Sequence, residues 1–214
     1  MTNLFHITHL RNLTNILQSR GLWCDRLRLK NAPDAICIAH QHIKDRRSRR
    51  RVQRQDGSNV GAGGLLCDYV PFYFAPRSPM LYTIHRGNVE GYTEGQRPIL
   101  HLVTSVEAAV GCGRAFAFTD GHADMAFSEF YDELEALETS VDWDIMRSTY
   151  WNDTDQHPDR KRRRQAEFLI HEFFPWEAII CVGVKDGDIK RDVEAILLKA
   201  GCQSKVVIKP NWYY

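Results

Sequence analysis

A chain of 214 residues, 43% hydrophobic and 26% charged, is long enough to bury a sizeable core in one domain, and its composition excludes global disorder. No apolar run approaches the length of a membrane span, and six cysteines placed singly, with no C-x-x-C pair, argue against a zinc site and fit reduced thiols. The formal charge of +1 hides a segregated distribution of basic and acidic blocks.

Met1 to His6 lacks a basic stretch leading into an apolar one, so no signal peptide is expected and a cytoplasmic setting is. Leu4 to Thr8 reads as a short strand, and Leu10, Leu13, Ile16 and Leu17 share one face of a helix that Gly21 closes. Leu22 to Cys24 is a second strand. The stretch 39–54 is a loop or helix carrying the first basic block, Lys44 to Arg54, and Gln53 to Gly64 is a mobile loop. Its glycines form neither a phosphate-cradling P-loop nor a dinucleotide fingerprint. Asp68 to Phe74 is an aromatic strand in which Pro71 favours an edge or a bend, and Ala75 to Pro79 turns the chain. Ile99 to Thr104 and Ala115 to Phe118 are further strands. Phe127, Phe130, Tyr131, Leu134 and Leu137 stand at helical spacing and predict an acidic amphipathic helix with its aromatics in the core. Ala178 to Val184 is a strand, Asp188 to Ala200 a helix with Ile189, Val193, Ile196 and Leu197 inward, and Lys205 to Lys209 the last strand. Strands broken by separated helices indicate an α+β class, with residues 1–214 as one domain.

The second basic block, Arg160 to Arg164, runs through Gln165 and Ala166 into Glu167 and the apolar strand Phe168 to Phe174. Alternation puts Glu167, Leu169, His171 and Phe173 on one face, so a carboxylate enters largely apolar surroundings where burial and nearby cations tune it. Between the two basic blocks, Asp120 to Asp155 carries eleven acidic residues and one basic residue, Arg147. Two basic runs, each beside a candidate catalytic segment, point to a local polyanion site and to nucleic acid in particular.

Six pieces carry a family resemblance in the same order along the chain: Phe5 to Thr8, His42 to Arg49, the aromatic-proline block Asp68 to Tyr82, Phe118 to Asp120, Gln165 to Phe168 and Trp212 to Tyr214. Together they resemble the DarT family, the DNA ADP-ribosyltransferase toxins of toxin-antitoxin systems, in its thymidine-modifying branch. The resemblance implies an ADP-ribosyltransferase fold in which central split sheets grip NAD+ as a substrate, without a metal. It assigns His6, Ile7 and Thr8 to the ribose and nicotinamide ends of NAD+, Asn15 and Trp23 to the same pocket, and Tyr73 to stacking near the nicotinamide. Arg47 matches the family's essential arginine and Glu167 its catalytic glutamate. The resemblance also implies that the loop preceding Glu167, reaching back to about Asp120, recognises DNA, with His122 and Lys161 at contact positions. The basic blocks add Arg46, Arg49, Arg51 and Arg164 as phosphate-tracking residues, and Tyr69, Tyr73 and Trp151 as aromatics that could stack bases. Expected partners are single-stranded DNA and a macrodomain antitoxin of the DarG kind, with no membrane and a monomeric chain.

The chemistry explains the residue types. Cleaving the nicotinamide-ribose bond builds positive charge on the ribose, which a carboxylate on the 2-hydroxyl stabilises more in the transition state than in the ground state. A guanidinium binds phosphate oxygens and favours a deprotonated thymine ring nitrogen, and it has no free base form with which to take the proton. Three other readings stay open at this point: an RNA 2'-phosphotransferase that uses NAD+, a protein ADP-ribosyltransferase, and a non-catalytic nucleic-acid-binding module.

Overall fold

The computed structural model describes residues 1–31, 35–38 and 40–214. Strand β1, Asn3–His9, alternates loosely and buries Leu4, Phe5, Thr8 and His9. A 3-10 turn leads into α1, Leu13–Gln18, which buries Leu13, Ile16 and Leu17. Gly21 does not cap that helix but opens β2, Gly21–Trp23. A Cβ at Gly21 would lie 2.2 Å from the carbonyl oxygen of Phe174, so only glycine allows this strand to approach its antiparallel partner, residues 173–175. Helix α2, Asp25–Asn31, follows, and the first basic block lies on and just past α3, Gln41–Arg47. Ala39, the first residue of the stretch read as loop or helix, lies outside the described residues. The loop from 53 to 64 is tethered: Gln53 bridges Asn59, Val52 and Val60 are fully buried, and the Tyr69 hydroxyl donates to the Gly63 carbonyl at 2.8 Å.

Strand β3, Tyr69–Tyr73, precedes α4, Pro79–His85, whose N-terminus is set by Ser78 accepting from the Leu81 N–H and by Pro79 in the first turn. Strand β4, Ile99–Ser105, is buried at all seven positions and runs into α5, Val106–Gly111, capped by Ser105. Strand β5, Phe116–His122, pairs with the short β6, Phe130–Tyr131. The amphipathic helix expected over 127–137 is therefore absent. Its apolar spacing comes from a strand, a 3-10 turn and the single-turn α6, Leu137–Ser140, in succession, with Phe130 buried and Phe127 in solvent. Helix α7, Trp143–Arg147, and α8, Arg160–Arg163, lead to β7, Ala166–His171, and β8, Phe173–Pro175, the partner of β2. The C-terminal part is β9, Cys181–Val184; α9, Gly187–Lys199, burying Ile189, Val193 and Leu197; and β10, Lys205–Ile208.

Eight strands form one mixed sheet in the order β10-β9-β4-β1-β3-β7-β5-β6. This sheet splits in the middle. β1 pairs with β4 over its full length and β3 with β7 over five residues, yet β1 meets β3 only at Phe5 and Tyr73. Pro71 sits on β3 at this divergence; of the expected edge or bend, the edge is corrected, since the residue lies inside the sheet, at a seam where the ladder to β1 has stopped and a missing N–H is tolerated. His6 spans the seam from β1 through its Nδ1, 2.8 Å from the Pro71 carbonyl oxygen. The split opens a cleft, and the main core of apolar residues packs around the sheet on either side of it.

Candidate active site

Glu167 is placed by β7 opposite Tyr73 of β3, and its N–H donates to the Thr119 hydroxyl of β5 at 3.0 Å. The side chain is 2% exposed. Arg47, at the end of α3 and 8% exposed, meets it with one nitrogen: Nη1 donates to Oε2 at 2.8 Å and to Oε1 at 3.1 Å. Burial would lower the Arg47 pKa, but the Glu167 carboxylate, followed by Asp25, outweighs burial and holds it above its ordinary value. The second nitrogen, Nη2, is buried without a hydrogen-bond partner. Groups of this kind stay unsatisfied in folded proteins only for a reason. Burial and the adjacent carboxylate push the Tyr73 phenol far up, so it is neutral.

The cleft beside this pair is lined by six of the seven residues expected at NAD+, His6, Ile7, Thr8, Asn15, Trp23 and Tyr73, but not by the seventh, Arg47; Asn12, Asp25 and Lys44, which sequence reasoning missed, line it as well. Burial holds the His6 imidazole below its ordinary pKa, and its contact with a carbonyl oxygen fixes the tautomer: Nδ1 carries the proton and Nε2 is the acceptor. The Trp23 Nε1–H is a second buried donor without a partner. Asn12 donates to Thr8 Oγ1 and the Ile36 carbonyl and accepts from the Ile36 N–H at 2.7 Å, so it pins residues 35–38 onto the cleft wall. Burial would raise Asp25, but Lys44, Arg47 and Arg28 together hold its carboxyl below the usual range. Asn12 and Asp25 are single polar residues on short elements and give no periodic signal; Lys44 lay in the basic block but was grouped with its neighbours.

The residues expected at nucleic acid divide. Arg49, Arg51 and Lys161 are exposed. His122 ends β5, and burial lowers its pKa while the fields of Glu167 and Arg47 act on it in opposite senses, which places it by the Arg47–Glu167 pair. Arg46 is half-exposed but tied to Asp124 at 2.5 Å. Arg164 is a correction: it is 3% exposed and donates to the backbone carbonyls of Ile145, Met146, Ser148 and Arg77, out of reach of any phosphate. Two more arginines of the second block are also consumed internally, Arg162 by Asp120 and Asp159 and Arg163 by Asp142 and Asp159. Tyr69 and Trp151 are buried, the latter donating its Nε1–H to the Tyr214 hydroxyl, so neither stacks a base. Among the described residues no cluster of three or more His, Cys, Asp or Glu could hold a metal ion, and no helix is long and apolar enough to cross a membrane.

Comparison with known proteins bears on this arrangement. A family model described as "DarT: ssDNA thymidine ADP-ribosyltransferase, DarT" matches residues 5–214. A DNA ADP-ribosyl transferase of Thermus sp. (strain 2.9) is 39% identical over 215 residues, covering 100% of this chain and 96% of the relative. The solved structure of Thermus sp. 2.9 DarT in complex with ADP-ribosylated ssDNA superimposes with a TM-score of 0.89 at 38% identity, covering 100% of this chain and 96% of that one. The same protein in complex with NAD+ gives 0.86 at 37% identity, with 100% and 98% coverage.

Proposed function

We propose a division of roles from one premise: the chain belongs to the DarT family of ssDNA thymidine ADP-ribosyltransferases. It is an NAD+-dependent DNA ADP-ribosyltransferase. The observation that carries the assignment of roles is the buried Arg47–Glu167 pair beside a cleft lined by Trp23, with two buried donors left without partners, Arg47 Nη2 and Trp23 Nε1. Donors left open in this way fit a ligand rich in phosphate and hydroxyl oxygens, as NAD+ is. NAD+ supplies the ADP-ribosyl group, and loss of nicotinamide builds positive charge on its ribose.

Glu167 is the catalytic carboxylate. Held in place by Arg47 and by its backbone bond to Thr119, it takes the ribose 2-hydroxyl and stabilises the developing charge with little reorganisation. Arg47 remains a cation throughout. Its open Nη2 binds an oxygen of the NAD+ phosphates or of the thymine, and its charge favours the deprotonated ring nitrogen that attacks. His6 accepts from a ribose hydroxyl at Nε2, its other nitrogen being committed to Pro71. Tyr73, neutral beside Glu167, packs near the nicotinamide, while Ile7, Thr8, Asn15 and Trp23 complete the wall.

A thymine ring nitrogen is hidden in a duplex, so the base must be turned out of a single strand into the cleft. Residues from Asp120 to Gln165 form the recognition loop, with His122 near the base and Lys161, Arg49 and Arg51 on the phosphates. The reading extends to a single monomeric domain over 1–214 that acts as a cytoplasmic toxin and is countered by a macrodomain antitoxin that removes the mark. Mass spectrometry of a mixed-sequence single-stranded oligonucleotide after incubation with NAD+ tests the roles. One ADP-ribose should appear on thymine with the native chain and be absent with Glu167→Ala at equal DNA binding. Undiminished modification by that variant would remove Glu167 from the chemistry.

A further inference from the structure

The turn that joins β5 to β6 is anchored from two sides. From α3 and the residues just beyond it, Arg46 pairs with Asp124 at 2.5 Å, and Arg50 donates to the carbonyls of Met125 and Ala126 at 3.3 Å and of Ser128 at 3.4 Å. The Arg50 N–H bonds the Arg46 carbonyl at 3.0 Å, so the two side chains leave the same helical face one turn apart, and Arg47 between them reaches Glu167. On the other side, Arg162 bonds Asp120 at 2.9 Å and the Ser128 hydroxyl at 3.2 Å. Gly121 makes room for it, since a Cβ there would lie 2.3 Å from Arg162 Nη1. The turn is thus fixed to the same helix that positions the catalytic arginine, and it begins at His122, beside the catalytic pair.

What this anchoring presents to solvent is Phe127, 58% exposed, with the Arg162 guanidinium 5.1 Å from its ring centroid. The core does not use the ring: Phe130 packs into the buried cluster with Val52, Val60, Leu66 and Tyr69, and Phe127 is not part of it. An exposed aromatic ring with a cation on one side, on a turn that begins at His122 next to the Arg47–Glu167 pair, matches the chemistry of a nucleobase face. We propose that Phe127 is a stacking platform for a base next to the target thymine, occupying the neighbour that loses its own stacking partner when the target is turned into the cleft. This rests on the DNA reading above. Arg46, Arg50 and Arg162 are then positioning residues for the platform, and the ring sets how strongly the flanking nucleotide is held.

The test measures kcat and KM for a single-stranded thymine-containing oligonucleotide with the native chain, Phe127→Ala and Phe127→Trp. Base–aromatic stacking predicts a KM for DNA raised about 5- to 100-fold in Phe127→Ala, with kcat at saturating DNA and the Kd for NAD+ unchanged, and recovery in Phe127→Trp. A second set of oligonucleotides carries one abasic residue at each position flanking the target. At one of those positions the native chain should fall to the level of Phe127→Ala and the difference between them should vanish, which a merely structural role for the ring would not produce. An unchanged KM in Phe127→Ala, or a difference that survives every abasic substitution, overturns the proposal and leaves the ring to a protein partner. Should the native chain leave DNA unmodified, the catalytic reading fails, and fluorescence anisotropy of the same oligonucleotides with the same variants still decides whether the platform exists.

Discussion

Arg164→Met separates two readings of the second basic block. Met has comparable length and removes a guanidinium that donates to four backbone carbonyls, those of Ile145, Met146, Ser148 and Arg77. A buried acceptor left without its donor costs about 1 to 3 kcal/mol; the Ile145 and Arg77 carbonyls keep a second donor in the Ser148 N–H and the Tyr214 hydroxyl, so those of Met146 and Ser148 are stripped and the gross penalty is about 2 to 6 kcal/mol. Against it stands the cost of burying the charge. Burial, with a smaller effect from Arg77, depresses Arg164 from its ordinary pKa to about 10, which corresponds to about 3 kcal/mol that methionine does not incur. The two costs meet at the low end and the carbonyls win above it, so a net loss of up to about 3 kcal/mol lowers Tm by up to about 12 °C in a chain of this size. The assay is a thermal melt together with the salt dependence of single-stranded DNA binding. A lost phosphate contact flattens the logarithmic salt slope by about 0.7, and Arg164→Met should leave the slope of its folded fraction unchanged, whereas Lys161→Met should flatten it with a native Tm. An Arg164→Met protein that melts with the native chain and flattens the slope would place Arg164 on DNA and refute the structural reading.

Burial holds the His101 imidazole down to about 4, with Nε2–H donated to the Pro76 carbonyl at 3.0 Å. Its folded pKa lies below the unfolded value of about 6.5, so the unfolded chain takes up the proton first on acidification, and stability falls as pH drops from 6.5 towards 4, by about 2 kcal/mol at pH 5. His101→Gln should narrow the gap between melts at pH 7.5 and pH 5; an unaltered gap would exclude His101 as its source. Arg47→Lys keeps the charge but loses the paired contact to Glu167 and the open Nη2, and a fall in kcat of about 10²- to 10³-fold in the oligonucleotide assay is expected. Asp186 caps α9 by accepting from the Asp188 and Ile189 N–H groups, so Asp186→Ala should lower Tm by about 2 to 4 °C and leave ADP-ribosyl transfer unchanged.

The elements that local pattern could reach are those whose periodicity has one cause. β4 and β7 are buried on both faces and read as continuous apolar runs, while α9 buries a single helical stripe of Ile189, Val193 and Leu197, and each pattern is the direct imprint of its burial. The false helix over 127–137 shows the limit: a strand residue, a turn residue and two one-turn helices can stand at three- and four-residue intervals for unrelated reasons, and nothing local distinguishes Phe130 in the core from Phe127 in water. Pro71 gave a true signal with a wrong address, since the edge it marks is the seam inside a split sheet. The partnership of Arg47 with Glu167 spans 120 residues and was legible only through the family resemblance, as no spacing rule links α3 to β7.

Charge was the most misleading signal, and the reason is physical. Arginine runs were read as a path for phosphate, yet the acidic stretch from Asp120 to Asp159 lies on the same chain, and a tethered carboxylate competes at an effective concentration that a diffusing polyanion must overcome. Arg46, Arg54, Arg162 and Arg163 are accordingly taken by Asp124, Asp132, Glu133, Asp120, Asp159 and Asp142. Arg49, Arg51 and Lys161, whose side chains have no acid in reach among the described residues, keep their charge open to solvent. The internal pairs still serve the proposed DNA chemistry, because they hold the β5–β6 turn against α3 and α8 and thereby fix where His122 and Phe127 stand relative to Glu167.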